Sequence, residues 1–242
     1  MSANAVQMLV VLAALAALGP GAVPSSAAPE EGVALAIIYD TSGSMFDAVR
    51  DVSGGAAPKY VIANRALMAV AKQIQAFATN SAAGSPRRID VGLFVFRGEG
   101  AREAVKFGPF DEAALEDFAR KFASPNGNTP LGNALTTASR AVLNSPLPRK
   151  HVLVITDGMN TAGPPPEAVL PKLKAQAERN QTSLSVHFIA FDVAARQFAA
   201  VKKLGATVVG AADEKQLNSQ LDFILQRKIL LEDEEPPKPK AK

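Results

Sequence analysis

The chain alternates short, almost wholly apolar β-rich runs with longer segments of helical period, an order that a sheet covered by helices on both faces satisfies. From Gly32 onward the runs are VALAIIYD (33–40), IDVGLFVF (89–96), HVLVITD (151–157), LSVHFIAFD (184–192) and ATVVGA (206–211). Near-continuous apolar runs are what parallel strands need when both faces are buried. AREAVKFG (101–108) is more polar and follows 89–96 across the turn RGEG, so these two are expected to form a hairpin whose second strand is a sheet edge. The expected fold is α/β and doubly wound, with a mostly parallel central sheet, one antiparallel edge strand and helices on both faces.

Between the runs, residues 60–79 place Val61, Leu67, Met68, Val70, Ile74 and Phe77 near helical spacing, leaving Lys59, Asn64, Lys72, Gln73 and Gln75 for solvent. Asp111 reads as the N-cap of a helix ending at Phe122, and Thr129 as the N-cap of a helix over 130–143 that begins with Pro130. Helices over 166–179, 194–204 and 214–230 complete the set.

A chain of 242 residues fits one domain, here 32–230, with flanking segments. A domain of that size hides roughly 70% of its unfolded surface, so a sizeable core is expected. The net charge of +3 is small and its Lys and Arg residues are scattered among acids, which argues against nucleic acid as a partner. The absence of Cys excludes disulfides, thiol catalysis, thiolate zinc sites and an acylated cysteine.

Residues 8–18, MLVVLAALAAL, are wholly apolar and are followed by Gly19-Pro20-Gly21 and VPSSAAPEE. As a helix this run spans only about 16 Å, short of the ~30 Å hydrocarbon core, so 1–28 is expected to be a cleaved signal peptide and the protein to be exported, periplasmic or secreted. Ser25 and Ala27, or Ser26 and Ala28, supply the small side chains that cleavage requires. MSANAVQ lacks Lys and Arg, which keeps an uncleaved membrane anchor as the alternative. The last residues, 231–242, carry EDEEPPKPKAK and are expected to be a disordered, solvated tail.

The chemistry concentrates in Asp40-Thr41-Ser42-Gly43-Ser44, a D-x-S-x-S sequence at the carboxyl end of an apolar run, where open α/β sheets place their ligands. Alternate positions of an extended turn point the same way, so one carboxylate and two hydroxyls can converge on one point. Such hard oxygen donors suit Mg²⁺, with Mn²⁺ or Ca²⁺ as alternatives.

DTSGSM after an apolar strand resembles the metal-ion-dependent adhesion site, or MIDAS, of von Willebrand factor type A domains, in the bacterial exported form. The resemblance covers roughly 33–228. It implies that a threonine before a helix, Thr129 in NGNTPLGNAL, and an aspartate after a strand, Asp157 in LVITDG, join Asp40, Ser42 and Ser44 around one divalent cation. It also implies direct coordination by the three hydroxyls, with Asp40 and Asp157 acting through water or as alternating ligands, and a partner protein that supplies a carboxylate. Taken singly, the two serines read as turn residues, Thr129 as an N-cap and Asp157-Gly158 as a common turn pair.

Asn126, Asn128, Asn160 and Asp192 lie in loops expected near the same rim, as candidates for supporting or partner-contacting positions. Residues 46–58 form a long first loop, in which Phe46, Arg50 and Asp51 are candidates for partner contact, the alternative being a mobile cover. No catalytic residues are expected. His151 and His187 read as strand residues, and there is no G-x-S-x-G, H-E-x-x-H or P-loop sequence. A phosphatase built on Asp40 would need a second acid two residues on, where Ser42 stands. The expected function is therefore a non-catalytic, extracytoplasmic protein-binding module. A metal-stiffened structural or assembly subunit and a Mg²⁺-dependent phosphohydrolase are the alternatives.

Overall fold

The computed structural model describes residues 32–80 and 87–231. The signal peptide expected at 1–28 and the tail after Leu231 lie outside them. No helix among the described residues is long and apolar enough to cross a membrane.

The elements run in the order β1 (Gly32–Tyr39), β2 (Ala48–Arg50), β3 (Ala56–Pro58), α1 (Lys59–Thr79), β4 (Arg88–Arg97), β5 (Gly100–Pro109), α2 (Glu112–Lys121), α3 (Leu131–Asn144), β6 (Arg149–Thr156), α4 (Pro166–Arg179), β7 (Leu184–Phe191), α5 (Ala199–Lys203), β8 (Thr207–Ala211) and α6 (Glu214–Ile224). Six strands form one sheet in the order β5-β4-β1-β6-β7-β8. All neighbours are parallel except β4 and β5. The expected antiparallel edge is thus present, turned by Gly98 at φ +59°, and the fold is the expected mostly parallel α/β sheet flanked by helices.

β1 lies at the centre because its eight residues are all buried. Val33, Leu35, Ile37 and Tyr39 join the core shared with α1, α2 and α6. Ala34, Ala36 and Ile38 face the other way, into the core shared with α3, α4 and α5. The small side chains at 34 and 36 lie on the face against which α3 packs. From β1 the chain first moves to β4 on one side, and later to β6 and then β7 on the other. The strand order therefore reverses between β1 and β6, and that switch point is where a crevice opens beyond the strand ends.

Several boundaries differ from the sequence reading. β1, β6 and β7 end one residue earlier than expected, leaving Asp40, Asp157 and Asp192 just beyond the ladder. The helix expected over 130–143 is α3, and its N-cap is Pro130. Thr129 therefore does not cap it. Asp111 does cap α2, accepting from the Ala114 N–H at 3.0 Å. The helix expected over 194–204 divides into a 3₁₀ turn (Ala195–Phe198) and α5, and that over 214–230 passes from α6 into a π-helical segment, Leu225–Leu230. The long first loop is built: a 3₁₀ turn, Gly43–Phe46, leads into the hairpin β2–β3. The loop is tied down at Val52, whose N–H donates to Glu214 Oε2 at 3.0 Å, and Glu214 itself holds Arg65 in a two-pronged pair at 2.7 Å. Lys59 and Asn64, expected to face solvent, are buried.

Gly132, at the start of α3, packs against the loop before α4 so closely that a Cβ would sit 2.0 Å from the Pro164 carbonyl oxygen. Gly132→Ala is expected to destabilise by about 1–3 kcal/mol despite the better helix propensity of Ala, because backbone must move to admit the methyl; urea unfolding measures it.

His151 and His187 are strand residues, as expected. Their rings stack at 5.6 Å, with His151 Nδ1 and His187 Nε2 3.3 Å apart. Burial first, then the charge of His187 and Arg149, lowers the pKa of His151 to about 3, and burial followed by the charge of Lys228 lowers that of His187 to about 4. Both values lie below the unfolded one. The histidines' contribution to stability is therefore complete above about pH 6.5 and falls as pH drops toward 4, because the unfolded chain takes up protons on them that the folded chain refuses. At pH 5 each histidine should remove about 2 kcal/mol relative to pH 7.5. Urea unfolding at the two pH values, in the parent and in a His151→Leu/His187→Leu variant, checks this; the variant should show the flatter dependence.

Candidate metal centre

The site is assembled by strand adjacency. β1 and β6 run side by side with Tyr39 opposite Ile155, and the ladder continues one step through the Asp40 N–H, which donates to the Ile155 carbonyl at 3.0 Å. This brings the residues that follow the two strands, Asp40 and Asp157, to one rim. Both carboxylates are buried.

Around Asp40 the chain folds back on itself. Oδ1 accepts from the Ser42 N–H at 2.8 Å and from the Ser42 hydroxyl at 2.5 Å, and Oδ2 accepts from the Thr156 hydroxyl at 2.6 Å. Ser42 Oγ and Ser44 Oγ are 3.2 Å apart, and Ser44 Oγ donates to Asp157 Oδ1 at 2.9 Å. Thr129 lies beside them. A Cβ placed on Gly158 would lie 3.6 Å from Thr129 Oγ1 and 3.9 Å from Ser44 Oγ, so both hydroxyls border the same glycine. All five residues singled out in the sequence are thus brought together, and alternate residues of the first turn do converge.

The loops that carry them are stitched by backbone bonds. Gly43 N–H donates to the Gly127 carbonyl at 3.2 Å, Asn126 N–H to that of Thr41 at 2.7 Å, and Thr161 N–H to that of Thr129 at 3.0 Å. The Thr129 N–H in turn donates to the Thr161 hydroxyl at 2.8 Å. Asn160 serves this framework, accepting from the Gly132 N–H at 3.3 Å and donating to the Gly163 carbonyl at 3.0 Å. The Asn126 side chain bonds locally to the Ser124 carbonyl, and Asn128 is exposed. Phe46, Arg50 and Val52 are exposed on the first loop, and Met159 is exposed on the loop after β6.

Burial, and then the charge of Asp157, push Asp40 up to about 6, against the lowering effect of the bonds from Ser42 and Thr156. Asp157 has a different neighbour, Lys59. This ammonium lies 3.1 Å from Asp157 Oδ2, 3.0 Å from Asp192 Oδ2 and 3.7 Å from Asp47 Oδ2. Burial works against its charge, but the hydrogen bonds it donates to Asp192 and Asp157 prevail and hold Lys59 above the usual lysine value.

Thr156 and Thr161 were absent from the sequence reading, and Lys59 stood in it only as a solvent-facing helix residue, whereas it is buried. Thr156 had a signal, since it occupies the last strand position before Asp157. Lys59 had one too: a cation in the first turn of a helix, directly after Pro58, opposes the helix dipole. Thr161 offered none, because its role depends on where the Thr129 loop lies.

The donor set of one carboxylate pair and three hydroxyls consists entirely of hard oxygens, which fits a hard divalent cation. No cluster of three or more His, Cys, Asp or Glu able to hold a metal exists among the described residues, so a cation here would draw part of its shell from other oxygens, such as these hydroxyls.

No curated protein matches the sequence. Solved structures similar in fold include the PilB minor pilin from Streptococcus sanguinis, at TM-score 0.58 and 16% identity over 81% of this chain and 61% of that one. Another is proximal thread matrix protein 1 from the mussel byssus, solved with a zinc-occupied MIDAS motif, at 0.56 and 18% over 81% of this chain and 48% of that one. A third is the von Willebrand factor domain of the type V pili tip protein Mfa5 from Porphyromonas gingivalis, at 0.54 and 14% over 82% and 95%. The chain therefore spans less than two thirds of the first two proteins. The family model of the von Willebrand factor type A domain matches residues 35–222, the stretch that builds the sheet and every loop of this rim, and the chain belongs to that family.

Proposed function

We propose that the protein is a non-catalytic, exported binding module that holds a divalent cation, Mg²⁺ before Mn²⁺ or Ca²⁺, on Asp40, Ser42, Ser44, Thr129 and Asp157, and through it an acidic side chain of a partner protein. The observation that carries this reading is the hydrogen bond from Ser44 Oγ to Asp157 Oδ1 at 2.9 Å, which joins donors 113 residues apart at the mouth of the sheet. A bound ion supplies a Lewis-acidic position at which an anionic oxygen can replace water. Ser42, Ser44 and Thr129 offer neutral oxygens, while Asp40 and Asp157 offer the charge, and one oxygen of Asp157 is already engaged by Lys59. A partner carboxylate would complete the ion's shell. A byssus protein of the same fold holds zinc at its own MIDAS motif, and a pilin and a pilus-tip protein share the fold, which supports both the ion and the extracytoplasmic setting.

Stiffening of the loops is a weaker reading of the same ion. The bonds between Gly43 and Gly127, Asn126 and Thr41, and Thr161 and Thr129 already hold the loops through protein groups alone. Catalysis by Asp40 is disfavoured by geometry. Position 42 is a serine spent on Asp40 itself, and His151 lies six residues back along β6 from Asp157, roughly 20 Å away at a strand's rise per residue.

Thermal unfolding after chelation, then with added Mg²⁺, Mn²⁺ or Ca²⁺, tests the ion. At a hundredfold excess over Kd the gain is about 2.7 kcal/mol, enough to raise the midpoint by several degrees. The rise is expected in the parent and should be lost in Asp40→Ala; no rise in the parent at millimolar ion would sink the metal reading. Partner capture that survives chelation would leave only the stiffening role.

A further inference from the structure

Lys59 is placed against every local preference. It is the first residue of α1, where the helix dipole disfavours a cation, and it is 4% exposed, where an ammonium loses most of its hydration. Its backbone is fixed by the N–H bond to the Asp47 carbonyl at 2.9 Å, and Pro58 before it sets the entry of the helix. What offsets those costs is a set of carboxylates from three separate loops. Asp157 follows β6, Asp192 follows β7 in a left-handed turn at φ 55°, and Asp47 follows the first-loop 3₁₀ turn. Of these, Asp157 is also in the donor ring. Its two oxygens are divided, Oδ1 to Ser44 and Oδ2 to Lys59.

We propose that Lys59 is a built-in counter-charge to the ion site, neutralising Asp157 when no cation is bound and so setting how tightly a divalent cation is held. The proposal rests on the metal reading above and goes beyond it by assigning the affinity of that site to a residue outside the donor ring. Two consequences follow from charge alone. Without the ion, Lys59 keeps the buried Asp157 carboxylate from standing uncompensated, so the rim stays formed and ready. With the ion, the ammonium adds repulsion and competes for Asp157 Oδ2, so the cation is bound weakly and retains charge for an incoming carboxylate. Asp192, whose side chain is 41% exposed, remains as the ammonium's second anchor when Asp157 turns toward the ion.

Calorimetric titration of the purified protein with Mg²⁺, and Mn²⁺ titration followed by paramagnetic resonance, read the affinity directly. Lys59→Met, which keeps the aliphatic stem and removes the charge, is expected to bind both ions about tenfold more tightly or better, while its unfolding midpoint in chelator falls below that of the parent. Lys59→Arg, which keeps the charge, should bind no more tightly than the parent. Lys59→Gln, which keeps a donor for Asp157, stands in if the Met variant fails to fold, with the same expected direction. Ion binding by Lys59→Met alone, with none by the parent, would also support the proposal. Equal affinity in the parent and the uncharged variants would overturn it while leaving the ion site standing, as would tightening by Lys59→Arg to the same degree as by Lys59→Met. No binding by any of them would overturn it together with the metal reading.

Discussion

The structure depends on the close approach of two buried carboxylates at the ends of neighbouring parallel strands. Asp40 and Asp157 cannot both be charged, buried and unassisted, since each isolated buried carboxylate costs several kcal/mol. The surrounding groups answer this in two different ways. Asp40 receives three hydrogen bonds from Ser42 and Thr156 and still has its pKa raised to about 6 by burial and by Asp157. Asp157 receives a hydroxyl and an ammonium. A divalent cation between them would answer both at once, which is the physical reason for reading this arrangement as an ion site.

The frame that holds the pair together is rigid. β1 is buried along its whole length and bonded to a parallel neighbour on each side, so the position of Asp40 is set by two ladders and two cores. The outer part of the first loop is anchored away from the rim, through Val52, Glu214 and Arg65, to α6 and α1. The exposed apolar side chains Phe46 and Met159 sit on the loops that carry Ser44 and Asp157. Loops fixed by strands and loop-to-loop backbone bonds are already ordered, which lowers the ordering cost of any ligand they receive.

The fold was legible because burial on both faces leaves an unmistakable run of apolar residues, as in VALAIIY and HVLVIT, and because a polar strand such as 101–108 can only be an edge. Element ends were less legible. Thr129 has the chemistry of an N-cap, yet Pro130 takes that position and the threonine joins the rim. The first loop was read as long, a partner-contacting segment or a mobile cover, whereas Ala48–Arg50 and Ala56–Pro58 pair through a register that three-residue strands do not announce.

By itself the sequence determined the layered sheet and the spacing of Asp40, Ser42 and Ser44, because strand burial and that spacing are local properties written in adjacent residues, whereas Thr129 and Asp157 were named as donors only through the family resemblance. Only the tertiary structure decided the charge balance around them. Lys59 read as one more solvent-facing lysine on an amphipathic helix, and helical periodicity has no means of showing that β6, β7 and the first loop each deliver a carboxylate to its ammonium. Thr156 and Thr161 were settled in the same way, by strands and loops distant in the chain meeting at one rim. Electrostatic partners are chosen by distance in space, and for this site that distance is set by the order of strands in the sheet.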